Sequence, residues 1–256
     1  MIDSHSHIFL SDFDQDRDEV VKKAKEAGVS KILMPNIDEE TISSLMETAA
    51  AYPGYCIPMM GLHPTSVKTG YIEQLTVIEK WLGKYDFVAI GEIGIDLYWD
   101  KSREKEQRQV FRTQLQWAQE TGKPVVIHVS EAFDAVFEEM DKVYDNRLKG
   151  VFHSFAGDEN QAVRALEYDN FLLGINGIVT FKNSGLDKVV EKLGPNRLII
   201  ETDAPYLTPV PFRGKRNQPA FLKYTLKKLA DIFALTSEEV DRITTRNTAQ
   251  LFGLQL

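Results

Sequence analysis

The chain has 256 residues, 43% of them hydrophobic, with a net charge of −8 and a pI near 5.3. That is a length typical of one α/β barrel with a single large core, and the acidic balance argues against broad, nonspecific binding of polyanions. Cys56 is the only cysteine, which excludes an intrachain disulfide, no apolar run approaches a membrane span, and residues 1–8 lack the features of a signal peptide, so a reducing, cytoplasmic location without membrane attachment is expected.

Apolar, strand-like runs alternate with amphipathic stretches along the chain. Residues 2–8 read as a strand and 17–27 as a helix, in which Val20, Val21, Ala24 and Ala27 recur at helical spacing before Gly28. Residues 31–35 and 39–52 form the next pair, and 56–62 and 72–82 the third. The strand at 87–95 precedes a helix over 103–120, which stops at Gly122-Lys123-Pro124. Then come 125–129 with 132–143, 150–155 with 159–167, 171–178 with 186–193, and 197–202 with 221–233, followed by a terminal helix over 237–251. Such alternation implies a parallel sheet covered by helices, and eight units close into a (β/α)8 TIM barrel with a C-terminal extra helix, one barrel over residues 1–256. A doubly wound open sheet would need a Gly-rich phosphate loop after the first strand, and Ser4-His5-Ser6-His7 is not one. The longest loop, residues 204–219, carries four of the ten prolines and would hang over the face onto which the strand ends open.

All five histidines, His5, His7, His63, His128 and His153, end short apolar runs, and Glu92 and Asp203 hold the same kind of position. On a barrel these positions share one face, and imidazoles gathered with carboxylates make a metal centre. His5 and His7, two apart, share a face of their strand and can hold one ion; taken alone the pair would equally suit a frayed strand end. A carboxylate at Glu92, in an apolar strand, is costly to bury without a cation or a donor, and at that strand end it can bridge two ions. The alternative is a buried acid bonded to a neighbour. Asp96, two residues further out, would support the ligands from behind. Glu201 and Asp203 share a face, Glu201 deeper and Asp203 at the mouth, where it can take up the proton of an attacking water. Helix capping is the other reading of Asp203, which Pro205 disfavours. His63 at the rim suits a phosphate or leaving-group oxygen, or else a structural role. Arg213, Lys215 and Arg216 on the long loop suit phosphate contact, or else form a solvated tip, and Lys182 is a weaker candidate of the same kind.

Several motifs in order now carry a resemblance. Asp3-Ser4-His5-Ser6-His7, Gly61-Leu62-His63-Pro64, Gly91-Glu92-Ile93-Gly94-Ile95-Asp96, Val126-Ile127-His128, Phe152-His153-Ser154-Phe155, Thr180-Phe181-Lys182, Glu201-Thr202-Asp203-Ala204-Pro205-Tyr206 and Arg213-Gly214-Lys215-Arg216-Asn217 resemble the TatD family of metal-dependent deoxyribonucleases, among the amidohydrolase-like metal barrels. The resemblance runs from Met1 to about Leu254. It implies His5, His7, Glu92, His128, His153 and Asp203 as ligands of two divalent ions, sometimes three, with Glu92 and Asp203 catalytic. It further implies hydrolysis of phosphodiester bonds in DNA, single-stranded or at 3′ ends, by a monomeric nuclease. Related barrels with a carbamylated lysine place it on the fourth strand; none occurs between Phe87 and Leu97, which leaves the bridging role to Glu92. Ions so held lower the pKa of a water toward about 7 and offset the charge of a phosphodiester. Mixed His and carboxylate ligands accept zinc, manganese or magnesium, and four imidazoles tilt the choice to the softer ions. Two departures stand out: Ser154 where the family usually has cysteine, and Asn217-Gln218-Pro219 where it usually has Asn-Glu-Pro, which weakens an acid's role at 218. The same metals could instead cleave ester or C–N bonds in small molecules or aminoacyl-tRNA. A degenerate barrel that only binds a partner is disfavoured by the intact ligand set.

Overall fold

A computed structural model describes residues 1–255, and among them eight parallel strands alternate with helices. The strands are β1 (Ile2–Asp3), β2 (Lys31–Pro35), β3 (Cys56–Met59), β4 (Ile90–Asp96), β5 (Val125–Ser130), β6 (Gly150–Phe152), β7 (Phe171–Ile175) and β8 (Leu198–Ile200). Each is followed by a helix: α1 (Arg17–Glu26), α2 (Ile42–Ala51), α3 (Tyr71–Leu82), α4 (Glu104–Thr121), α5 (Phe133–Val143), α6 (Glu159–Leu166), α7 (Leu186–Leu193) and α8 (Leu222–Phe233), with α9 (Ser237–Phe252) last. Strands β1 to β3 pair in order, as do β4 to β8. Parallel bridges at Met60–Ile90 and Ser6–Ala204 join the two sheets at both seams. At the second seam the Ser4 N–H donates to Ile200 O (3.1 Å), Asp203 N–H to His5 O (2.9 Å) and His7 N–H to Ala204 O (2.8 Å). The strands therefore close into a (β/α)8 barrel with an extra C-terminal helix.

Period-two alternation sorts the strand residues. Ile2, Leu33, Met59, Val126, Val151 and Ile199 pack with one another as a lumen layer, while their neighbours Ile32, Met34, Ile127 and Ile200 pack outward with the helices. Leu251 and Phe252 of α9 join the lumen layer, and Asn247 donates to Asn196 O (3.0 Å) and Leu198 O (2.9 Å) at the start of β8. The last helix thus closes the end of the barrel where the strands begin. A capping box between Thr236 and Glu239 starts this helix, and Gly253 at φ 66° ends it. No helix among the described residues is long and apolar enough to cross a membrane.

Several boundaries differ from the periodicity: the third and sixth strands stop early, at Met59 and Phe152, the fourth runs over Ile90–Asp96 and the eighth over Leu198–Ile200, and three further differences have a visible cause. The first strand pairs only over Ile2–Asp3 because its later N–H groups divide between both neighbours, Ser4 bonding to Ile200 and Ser6 to Leu33 (3.0 Å). The seventh stops at Ile175, where the Asn176 side chain accepts from Ile178 N–H (3.0 Å) and opens a tight helical turn over Gly177–Thr180. Helix α2 starts at Ile42, after a turn in which the Asp38 N–H donates to Thr41 Oγ1 (3.0 Å) and the Thr41 N–H to Asp38 Oδ1 (3.1 Å).

Candidate metal centre

The lumen layer carries the site directly on top of it. Stepping two residues up each strand leads from Val126 to His128, from Val151 to His153 and from Ile199 to Glu201. On β4 a register shift between Ile90 and Ile93 brings Glu92 in, and the Glu92 N–H donates to Asn36 O (3.1 Å). Gly94 sits at φ 148°, and a Cβ there would lie 2.0 Å from His128 O, so only glycine lets β4 approach β5 this closely. Asp203 (φ 58°) and Ser154 (φ 49°) adopt the left-handed region without being glycine, a conformation that costs about 1 kcal/mol or more and persists where its surroundings enforce it.

The side chains converge. His5 Nε2 and His7 Nε2 are 3.1 Å apart, and Asp203 Oδ1 lies 3.7 Å from the first and 3.6 Å from the second. Glu92 divides between two groups: its Oε2 is 3.1 Å from His5 Nε2 and 3.5 Å from His7 Nε2, whereas its Oε1 is 3.0 Å from His128 Nδ1, 3.3 Å from His63 Nε2 and 3.6 Å from His153 Nε2. Behind the imidazoles stand two more acids. Asp96 Oδ2 is 2.8 Å from His128 Nε2, and Glu201 Oε1 is 2.9 Å from His153 Nδ1, though not aligned as a hydrogen bond. Asp203 approaches the opposite nitrogen of His153, 3.9 Å away.

Electrostatics describe a centre short of positive charge. Burial alone would raise Glu92, but the imidazoles of His63, His5 and His153 reverse this and hold its carboxyl well below the usual range. Asp203 is likewise lowered against its burial, by His153 and the His5–His7 pair. Burial and the stacked ring of His153, centroids 3.4 Å apart, bring His5 down to about 4, so it stays neutral with a lone pair to give. His128 and His153 run the other way. Against burial, Asp96 and Glu92 hold His128 up to about 9, and Glu201, Glu92 and Asp203 hold His153 up to about 10. Converging, desolvated carboxylates draw positive charge, which protons or divalent cations can supply. Three sets of donor atoms are close enough to hold an ion: His5, His7 and Asp203; His5, Glu92 and His153; and His63, Glu92 and His128.

The third set is weaker than its distances suggest. The Thr65 N–H donates to His63 Nδ1 (3.2 Å), so that nitrogen accepts and the hydrogen sits on Nε2, the atom facing Glu92. His63 therefore presents a donor to the cleft, not a lone pair.

The cleft above the cluster measures about 580 Å³ and is lined by His7, His63, Glu92, His128, His153 and Asp203, with Trp99 and Tyr206 beside them. A depression of about 620 Å³ on the α4–α5 flank is lined instead by charges paired around Glu139. The basic loop is placed differently. Arg216 is committed to Asp16 (Nη2–Oδ2 2.6 Å, Nη1–Oδ1 3.0 Å) and lies over the Phe13 ring. Arg213 stacks on Phe181 at 3.7 Å and shares a surface depression with Lys182, and Lys215 lies near Phe212; none of the loop cations lines the histidine cleft. Asn217 is fully buried and ties the loop down, donating to Thr202 O (2.8 Å) and Tyr206 O (2.7 Å). Ser154 fills its position with a hydroxyl accepting from Asn176 Nδ2 (2.6 Å) and an N–H donating to Glu201 Oε1 (2.5 Å). The periodicity passed over Asp3, which accepts from Thr202 N–H (2.8 Å) and Thr202 Oγ1 (2.6 Å) and binds β1 to the end of β8. An acid inside an apolar strand, the signal that marked Glu92, was available for it too.

The geometry can be set beside known proteins. The chain matches the family described as TatD related DNase over residues 2–253. It is 38% identical over 255 residues to a Bacillus subtilis (strain 168) protein named "Uncharacterized metal-dependent hydrolase YabD", covering 99% of both chains. A Cronobacter sakazakii protein named "3'-5' ssDNA/RNA exonuclease TatD" is 33% identical, with 98% of this chain and 97% of the relative covered. Among solved structures, the TatD homolog YJJV of Escherichia coli K12 superposes with a TM-score of 0.93 at 27% identity, over 100% of this chain and 98% of that one. A match along nearly the whole barrel, with a cluster of imidazoles and acids at its mouth, leads to one conclusion: the chain belongs to the TatD-related DNase family.

Proposed function

We propose that the protein is a divalent-metal-dependent hydrolase of phosphodiester bonds, a nuclease that shortens single-stranded nucleic acid from its 3′ end as a monomeric barrel. The observation that carries this reading is the division of Glu92, whose two oxygens face separate imidazole pairs, His5–His7 and His128–His153. His5, His7, Asp203 and Glu92 would hold one ion; His128 and His153, which do not form a ready-made set together, would have to close with Glu92 around a second. Bound there, divalent cations would activate a water at neutral pH and offset the charge of the phosphodiester. Asp203 takes the proton of the attacking water. His63 donates its Nε2–H to a phosphate oxygen or to the leaving group. Asp96 and Glu201 fix the ring orientation of His128 and His153 from behind. Arg213 meets a phosphate farther along the strand, while Arg216, paired with Asp16, anchors the loop. The name of the Cronobacter relative, a 3'-5' exonuclease on single-stranded DNA and RNA, supports this substrate and polarity.

The test is metal-free protein reloaded separately with zinc, manganese and magnesium. Each form is assayed on single-stranded DNA labelled at either end, on the matching RNA, and on an aryl phosphodiester and an aryl ester. Metal-dependent release of mononucleotides from the 3′ end is expected. Cleavage of the ester alone, or cleavage of DNA by the metal-free protein, would overturn the reading.

A further inference from the structure

Packing does not explain the turn that follows β4. Trp99 leaves 75% of its surface exposed and Tyr98 60%, and the two rings meet edge to face at 5.0 Å. Yet the turn is held on every side. Asp96 Oδ1 accepts from both the Tyr98 and the Trp99 N–H, at 3.0 Å each. The buried Gln107 side chain accepts from Asp96 N–H (2.8 Å) and donates to Asp96 O (3.0 Å) and Asp100 O (3.4 Å), and the Leu97 N–H donates to Ser130 O (2.8 Å). The other oxygen of Asp96 meets His128 Nε2. One carboxylate therefore fixes both an imidazole of the cluster and the backbone of the turn that carries an exposed indole, and that indole lines the same cleft as His63, His128 and Asp203. Tyr206, 52% exposed, lines it as well.

We infer that Trp99, with Tyr206, is a stacking platform for the unpaired bases of the substrate strand beside the scissile phosphate. The inference rests on the reading of the cleft as a nucleic-acid site and names what selects the strand there. Every base offers a π-face, so an aromatic platform takes any sequence. In a duplex those faces are already stacked on neighbours, so the platform is open only to single strands. A rigid indole also loses little entropy when a base covers it. Asp96 ties the backbone of the platform's turn to His128, so stacked base and reacting phosphate are placed by the same carboxylate.

The experiment compares metal-loaded wild type with W99A and W99F. On a single-stranded oligonucleotide, kcat/KM of W99A should fall about tenfold further than it does on an aryl phosphodiester, with W99F recovering most of the loss. An oligonucleotide whose two 3′-terminal nucleosides are abasic should cost the wild type a similar factor, and W99A should add little to that loss. A binding arm uses a nuclease-resistant phosphorothioate oligonucleotide. Its addition should quench tryptophan fluorescence in the wild type, and W99F, which retains Trp81 and Trp117, should lose the quench. If the wild type cleaves DNA but W99A is impaired equally on both substrates, the platform is wrong and the nuclease reading stands. If no nucleic acid is cleaved with any ion, that reading falls, and the binding arm still decides, absence of quench overturning the platform. A change of oligomeric state in W99A with unaltered oligonucleotide binding would assign Trp99 to a protein contact instead, and would also overturn it.

Discussion

At Glu92 two carboxylate oxygens serve different imidazoles, and the residues on either side decide how much each matters. His128 touches Glu92 through Nδ1 and Asp96 through Nε2, and Asp203 faces the His5–His7 pair. The lumen layer beneath is built of other residues, so ligand and fold are separable. H128A and D203N are each expected to lower kcat/KM by about a hundredfold or more while the metal-free protein still folds and unfolds in one cooperative transition. Near-normal activity at saturating metal in either variant would remove that residue from the site. The convergence of the histidines was legible because each ends an apolar run, and strand ends of a barrel open onto one face. Asp3 carries the same signal yet serves the backbone. Its burial pushes its carboxyl up to about 8 despite the bonds from Thr202, and nothing in a linear pattern separates such an acid from a ligand. The exposure of Trp99 was illegible for another reason: nothing in a linear pattern tells an aromatic after a strand from a core residue, and only the folded turn shows Tyr98 and Trp99 in water.

Among the elements, the alternation of strands and helices was readable throughout because β and α periods differ along the whole chain. What local pattern missed were ends decided by other parts of the chain, such as β1, whose N–H groups divide between β2 and the end of β8. The long loop shows the same limit. Its three cations read alike in sequence, but Asp16 claims Arg216 and leaves Arg213 on Phe181. R213A is therefore expected to weaken single-stranded DNA binding and to flatten the slope of log affinity against log salt by about 0.7. Binding and slope both unaltered would make the loop a solvated tip. On the α4–α5 flank, buried Glu139 accepts from Arg112 Nε (2.8 Å) and Nη2 (2.5 Å), Arg108 Nη1 (3.3 Å) and Lys142 Nζ (2.7 Å). Burial would raise its carboxyl, and these cations reverse the shift and lower it. A lowered folded pKa stabilises fully above the unfolded value of about 4.3 and is lost as pH falls below it. E139Q should thus be less stable than wild type by about 2 kcal/mol at pH 7, with the gap closing toward pH 3 in urea unfolding. A gap independent of pH would show that packing, not charge, holds the two helices there.

For the whole molecule, a net charge of −8 sets the terms on which a polyanion can approach. General attraction is absent, so binding would be local, at the mouth of the barrel, where imidazoles and bound cations would offset the acids, with Arg213 in a separate depression. Closure of the barrel makes such a spot possible. Eight strands ending on one face bring residues 5 and 203 together although nearly the whole chain lies between them. Whether this convergence is a two-ion centre is the central claim, and a crystal structure of the metal-loaded protein, with ions located by anomalous scattering, tests it most directly. Two ions about 3.5–4 Å apart with Glu92 between them, His5, His7 and Asp203 on one side and His128 and His153 on the other, are expected. A single ion, or Glu92 turned away from both, would contradict the account.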